Sequence, residues 1–129
     1  MAEATVHAGF PSPAQDYMSG GIDLNKELVR HPDATFYVRV TGDSMLQAGI
    51  SDGDVLVVDR SLEAGDGAVI ICFLDGEFLV RRFSVSGGAG KVKTVVLEAA
   101  NPAYKPIMIS QGTDFSVWGV VTYIIKPVG

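Results

Sequence analysis

After residue 35 the chain is dominated by runs rich in β-branched and aromatic residues: FYVRV (36–40), DVLVVDR (54–60), AVIICFL (68–74), EFLVRRF (77–83), KTVVLEA (93–99) and FSVWGVVTYIIK (115–126). Such side chains fit a pleated, partly buried surface better than a helix, where χ1 freedom is lost against the preceding turn. Breakers separate the runs: GISDGD, EAGDG, the Asp75-Gly76 pair, SGGAG and NPAYKP. Asp75-Gly76 predicts a two-residue hairpin, because both central positions of that turn need φ > 0. The architecture this predicts is mainly β: several small twisted sheets or a partly closed barrel.

Two earlier segments differ. IDLNKELVRH (22–31) reads as a short helix, with Asp23 or the residue before it as cap, Leu24, Leu28 and Val29 as an apolar stripe, and Pro32 as the stop. Residues 1–20 carry Pro11 and Pro13, which forbid helix continuity and favour an extended arm. The expected division is therefore an arm over 1–20 and a β domain over 21–129.

At 129 residues the chain can bury a core without disulfides or metal. A net charge of −5 argues against a free-standing nucleic-acid binder and against direct, sequence-specific DNA binding. MAEATVHA contains an acidic residue and no apolar stretch, so it does not read as a signal peptide. AVIICFL and VWGVVTYII are too short to cross a bilayer. A cytoplasmic protein with no membrane association is expected. Cys72, inside an apolar run, reads as a small buried hydrophobe. Trp118 reads as core. One cysteine and two distant histidines, His7 and His31, make no metal cluster, and no cofactor is expected. Both histidines read as solvated residues, and Asp52, Asp54 and Asp59 as turn and strand-edge groups.

EFLVRRF places Phe78, Val80 and Arg82 on one face and Leu79, Arg81 and Phe83 on the other. Each face mixes apolar residues with one cation, so alternation leaves open which arginine points inward.

The stretch TGDSMLQAGISDGDVLVVDR (41–60) sets Ser44 in a glycine-punctuated turn directly after a strand. A serine hydroxyl is a weak nucleophile until a base takes its proton. Neither histidine is visibly placed for that, and the other known activator is a desolvated lysine. GDSM at 42–45, GISDGDVLVVDRS at 49–61 and DGEFLVRRF at 75–83 together resemble the LexA-type self-cleaving Ser-Lys peptidases. GFPSPAQDY at 9–17 and IDLN at 22–25 narrow the resemblance to the UmuD branch, the mutagenesis proteins of the SOS response. AANPAYKPI at 99–107 and VWGVVTYIIK at 117–126 match that branch's later strands.

The resemblance implies a predominantly β peptidase core, a homodimer and a mobile N-terminal arm. It implies Ser44 as nucleophile attacking the Ala8 carbonyl, cutting Ala8–Gly9 in the same chain or its dimer partner, with backbone N–H groups around Ser44 and Met45 stabilising the oxyanion. It also implies a RecA filament and a Y-family polymerase subunit as partners in error-prone translesion synthesis. Alignment on DGEF puts Arg81 where the family carries its general-base lysine. A guanidinium stays charged at neutral pH, since removing its proton there costs about 7 kcal/mol. Arg81 can donate hydrogen bonds and hold an anion, but it cannot collect the Ser44 proton. Two readings follow. One is an autopeptidase impaired at its base position. The other is a dimeric interaction module of the same fold that binds a polymerase without being cut. In either, Arg81 could be a structural cation paired with Asp43 or Asp54, and Lys26, Lys91, Lys93, Lys105 and Lys126 are the alternative bases.

Overall fold

The computed structural model describes residues 21–87, 90 and 93–129. Contacts divide the chain into two compact units, one ending at Arg30 and one running from His31 to Gly129. In the first, Leu24–Leu28 forms a helix, α1. The Asp23 side chain caps it, accepting from the N–H groups of Asn25 and Lys26, two of the donors that a helix start leaves without partners. Val29 is already extended, so α1 stops before the segment that precedes Pro32. The apolar stripe expected on α1 is not buried: no residue of the helix is, and Leu24 is exposed.

Among the described residues the second unit holds seven strands: β1 (Thr35–Arg39), β2 (Val55–Asp59), β3 (Val69–Leu74), β4 (Glu77–Ser86), β5 (Thr94–Glu98), β6 (Ile107–Ile109) and β7 (Phe115–Ile125). All six neighbouring pairs are antiparallel. They form one sheet in the order β1-β2-β7-β3-β4-β5-β6. The mainly β expectation holds, but the strands join one open sheet instead of several small ones, and it does not close into a barrel. The reason lies in β7, whose length lets it pair with β2 on one side and β3 on the other. Its register slips once against each neighbour, leaving Thr122 and Trp118 as the extra residues. Such bulges sharpen the twist that a long strand needs.

Asp75 and Gly76 close the β3–β4 hairpin with φ of 47° and 90°, and Leu74 pairs with Glu77 across the turn. β6 was not legible in the sequence, because a three-residue strand after a proline-containing turn carries no usable period.

Side chains on the two sheet faces build two cores. Val40, Met45, Ile50, Leu56, Val58 and Ile71 form one cluster; Ile70, Cys72 and Leu97 form the other. The consecutive residues Ile70 and Ile71 thus serve opposite faces, which is why AVIICFL reads as a continuous apolar run. Cys72 is fully buried, as expected of a small hydrophobe. Trp118 is only half-buried: the bulge turns its ring against Phe36 and Phe78, and Arg60 lies over it at 4.6 Å.

Two polar latches depart from the sequence reading. His31, read as solvated, holds Asp59 through Nδ1 at 2.6 Å, and Ser61 donates its hydroxyl to the same carboxylate. Asp59 is buried, not a strand-edge group. Asp54, also buried, accepts from Lys126 Nζ and from the Ser51 N–H, tying the far end of β7 to the start of β2. Among the described residues no helix is long and apolar enough to cross a membrane.

Candidate active site

Ser44 sits in the turn that leaves β1. Gly42 opens the turn at φ 91°, a conformation that glycine adopts without a Cβ penalty, and its N–H donates to Asp52 Oδ1 at 2.8 Å. The backbone carbonyl of Asp43 accepts from Asn101 Nδ2 at 2.8 Å, and Asp43 Oδ1 accepts from the Tyr104 hydroxyl at 2.6 Å. Met45, next along, is buried, and its sulfur accepts from the Ala100 N–H at 3.3 Å. The Ser44 backbone is therefore fixed between two anchored neighbours, and the serine itself is half-buried. The N–H groups of Ser44 and Met45 donate no hydrogen bond among the described residues.

Arg81 comes from the middle of β4, where it pairs with Ile70 of β3. The structure decides the choice that alternation left open. Arg81 is 8% exposed, whereas Arg82 is half-buried and reaches outward to the Gly67 carbonyl at 3.1 Å. Arg81 Nη1 donates to Ser44 Oγ at 2.7 Å and to the Val80 carbonyl at 2.8 Å. Val80 has a carbonyl to offer because β5 joins β4 only from Arg82, paired with Glu98. The guanidinium also lies 5.6 Å from the centre of the Tyr104 ring, within cation–π range.

Neither carboxylate proposed as its partner takes that role. Asp54 is engaged with Lys126, Asp43 with Tyr104, and among the described residues Arg81 forms no ion pair. Its Nε is buried with no hydrogen-bond partner. No lysine lines the cleft among the described residues, and Lys126 is committed to Asp54 and Ser51. Ala8, Gly9, His7 and Lys91 lie outside the described residues.

Ser44 and Arg81 face a cleft of about 400 Å³, walled by Val38, Met45, Phe78 and Tyr104. Asp43 holds the Tyr104 hydroxyl protonated, raising its pKa through the hydrogen bond first and its charge second, with Arg81 opposing weakly. Tyr104 and Asn101 were missed as individual residues by the sequence reading. They belong to the AANPAYKPI segment, which marked kinship without showing that it folds back onto the serine turn. Chemically, the site presents a hydroxyl and a cationic donor. Ser44 Oγ receives a hydrogen bond from Arg81, and among the described residues it donates none.

A serine in a glycine turn opposite a strand-borne cation, on an antiparallel sheet, fits the peptidase-type core that the motifs imply, with arginine at the base position. The chain matches the family described as Peptidase S24-like over residues 1–122, and it belongs to that family. It is 41% identical over 118 residues to Protein SamA of Salmonella typhimurium strain LT2, covering 92% of this chain and 78% of that protein. To Protein MucA of Escherichia coli it is 40% identical over 119 residues, covering 92% and 77%. To the LexA repressor of Dechloromonas aromatica it is 36% identical over 123 residues, covering 95% of this chain and 58% of the repressor. The UmuD-like, LexA-type kinship expected from the motifs stands on these similarities.

Proposed function

We propose that this chain is a UmuD-like accessory protein of error-prone translesion synthesis whose self-cleavage at Ala8–Gly9 is held back by Arg81. The observation that carries this reading is the 2.7 Å hydrogen bond from Arg81 Nη1 to Ser44 Oγ inside the cleft. The kinship to SOS mutagenesis proteins supplies the role.

In the reaction, Ser44 Oγ attacks the Ala8 carbonyl carbon, and the carbonyl oxygen takes the negative charge. The Ser44 and Met45 N–H groups are the available donors to it. The Ala8–Gly9 bond breaks, the Gly9 amine leaves with a proton, and water then releases the acyl group as an Ala8 carboxylate. The missing part is an acceptor for the serine proton, since a guanidinium already carrying its full complement of hydrogens cannot serve. By family resemblance the partners are a second copy of the chain, a RecA filament that promotes cleavage and a Y-family polymerase subunit, and the protein works in the cytoplasm.

The Arg81–Ser44 bond also favours a second reading, a dimeric module of the same fold that serves its polymerase uncut. Mass spectrometry of the full chain after prolonged incubation at pH 7.5 and pH 10, with and without activated RecA, separates the two. Cleavage after Ala8 supports the peptidase. In the stalled-peptidase reading the Arg81→Lys variant is cut faster than the parent; an Arg81→Lys chain that stays folded and whole under every condition leaves the uncut module.

A further inference from the structure

We infer that the cleft is a carboxylate-binding site that takes the free C-terminus of an extended peptide. Arg81 carries the case. It is a cation 8% exposed, without an ion pair among the described residues, and with a buried Nε that has no hydrogen-bond partner. A buried charge left without a counterion is costly, and an arriving anion relieves that cost. The guanidinium is also held in place before any ligand comes, by the Val80 carbonyl, Ser44 Oγ and the Tyr104 ring. A planar donor fixed in this way is matched to the two oxygens of a carboxylate.

The surroundings choose among anions. Next to Arg81 stands the Ser44 hydroxyl, and on the same turn the Ser44 and Met45 N–H groups donate no hydrogen bond among the described residues. Leading away from them is the stretch of β4 from Glu77 to Arg81, which β5 leaves unpaired. An open strand edge offers main-chain hydrogen bonds to an extended peptide, and a free inorganic anion has no use for them. Phe78 and Val38 wall the same cleft with apolar surface. The ligand chemistry is therefore a peptide backbone finished by a carboxylate. This inference rests on the proposal that the cleft receives an extended segment, and it adds that Arg81 favours the carboxylate over the intact amide.

The test uses the unmodified full chain and an octapeptide with the sequence of residues 1–8, made once as the free acid and once as the C-terminal amide. Titration is followed by NMR at the Ser44 and Met45 amides and at the Arg81 Nε–H signal, which is assigned by its loss in Arg81→Lys. The free acid is expected to bind about tenfold or more tightly than the amide, the difference one charge-assisted hydrogen-bond pair makes, and to move all three signals. Acetate and inorganic phosphate are expected to bind far more weakly than the free acid. Equal binding of acid and amide overturns the inference while leaving the cleft as a peptide site. Phosphate or acetate matching the free-acid peptide overturns it in favour of a simple anion site. Absence of any shift with either peptide overturns it outright. Because these comparisons use the parent protein, they do not depend on a variant folding, and cleavage of Arg81→Lys remains a separate test of the peptidase reading.

Discussion

Ser44 Oγ and Arg81 Nη1 are 2.7 Å apart, with the arginine as donor. Ser44 lies in the turn after β1 and Arg81 on β4, on opposite sides of β7 in the sheet order, so their contact reports the correct assembly of the sheet centre. It also sets the polarity of the contact, because the group facing the Ser44 hydroxyl gives a hydrogen bond where a base would receive one.

Replacing that donor with an amine able to lose its proton should open the reaction. The Arg81→Lys chain is expected to cut after Ala8 at a rate that rises with pH, since only the neutral amine accepts the serine proton, and burial favours that neutral form. Adding Ser44→Ala should abolish cleavage. A pH-independent rate, or cutting that survives loss of the serine, would show that the amine is not the base.

Gly119 lets β7 pack closely against β2. A Cβ there would lie 2.5 Å from Val58 Cγ1 and 3.3 Å from Arg60 Cγ. Val58 is fully buried and cannot step aside. Gly119→Ala is expected to destabilise the fold by about 1–3 kcal/mol, the usual cost of overpacking. Its urea midpoint should fall by roughly 1 M with an unchanged slope. An unaltered midpoint would mean that the strands separate at negligible cost.

Ser61 first, then His31, hold the Asp59 carboxyl down at about 2, below its ordinary 3.8, against the opposing effect of burial. A lowered carboxyl pKa contributes stability that is complete above 3.8 and is lost as pH falls through about 2. Asp59→Asn should therefore sit well below the parent in urea midpoint at pH 5, with the gap closing as pH approaches 2. A gap that stays constant over that range would remove the electrostatic explanation.

Burial pushes the Cys72 thiol pKa up, with the Arg81 charge pulling weakly the other way. The thiolate is the reactive form, so the native protein should resist a disulfide reagent such as DTNB at pH 8 and react fully once unfolded in urea. Rapid labelling of the folded chain would contradict the packing of β3.

Much of this was legible from residue order. The β-branched runs located six of the seven strands, and Asp75-Gly76 gave its hairpin, because a two-residue turn with φ > 0 at both positions leaves few other sequences. The Asp23 cap was equally local. What escaped the sequence depended on contacts between distant segments. Arg81, not Arg82, is the buried cation because its face of β4 meets Ser44 and Tyr104, which come from distant turns, and periodicity within β4 cannot encode that. His31 reaches Asp59, and Asp54 takes Lys126, through pairings that no spacing announces. Tyr104 enters the site only because its loop folds back to Asp43.

The position of β7 has a consequence for how such a molecule comes into being. It lies between β2 and β3 but is synthesised after both, and after β6 as well. A ribosome-bound chain that has emerged only through β6 lacks the strand that joins β1 and β2 to β3 through β6. Ser44 and Arg81 can meet only once translation has delivered the strand that bridges them, so a nascent chain passes through most of its synthesis with the serine and the arginine apart.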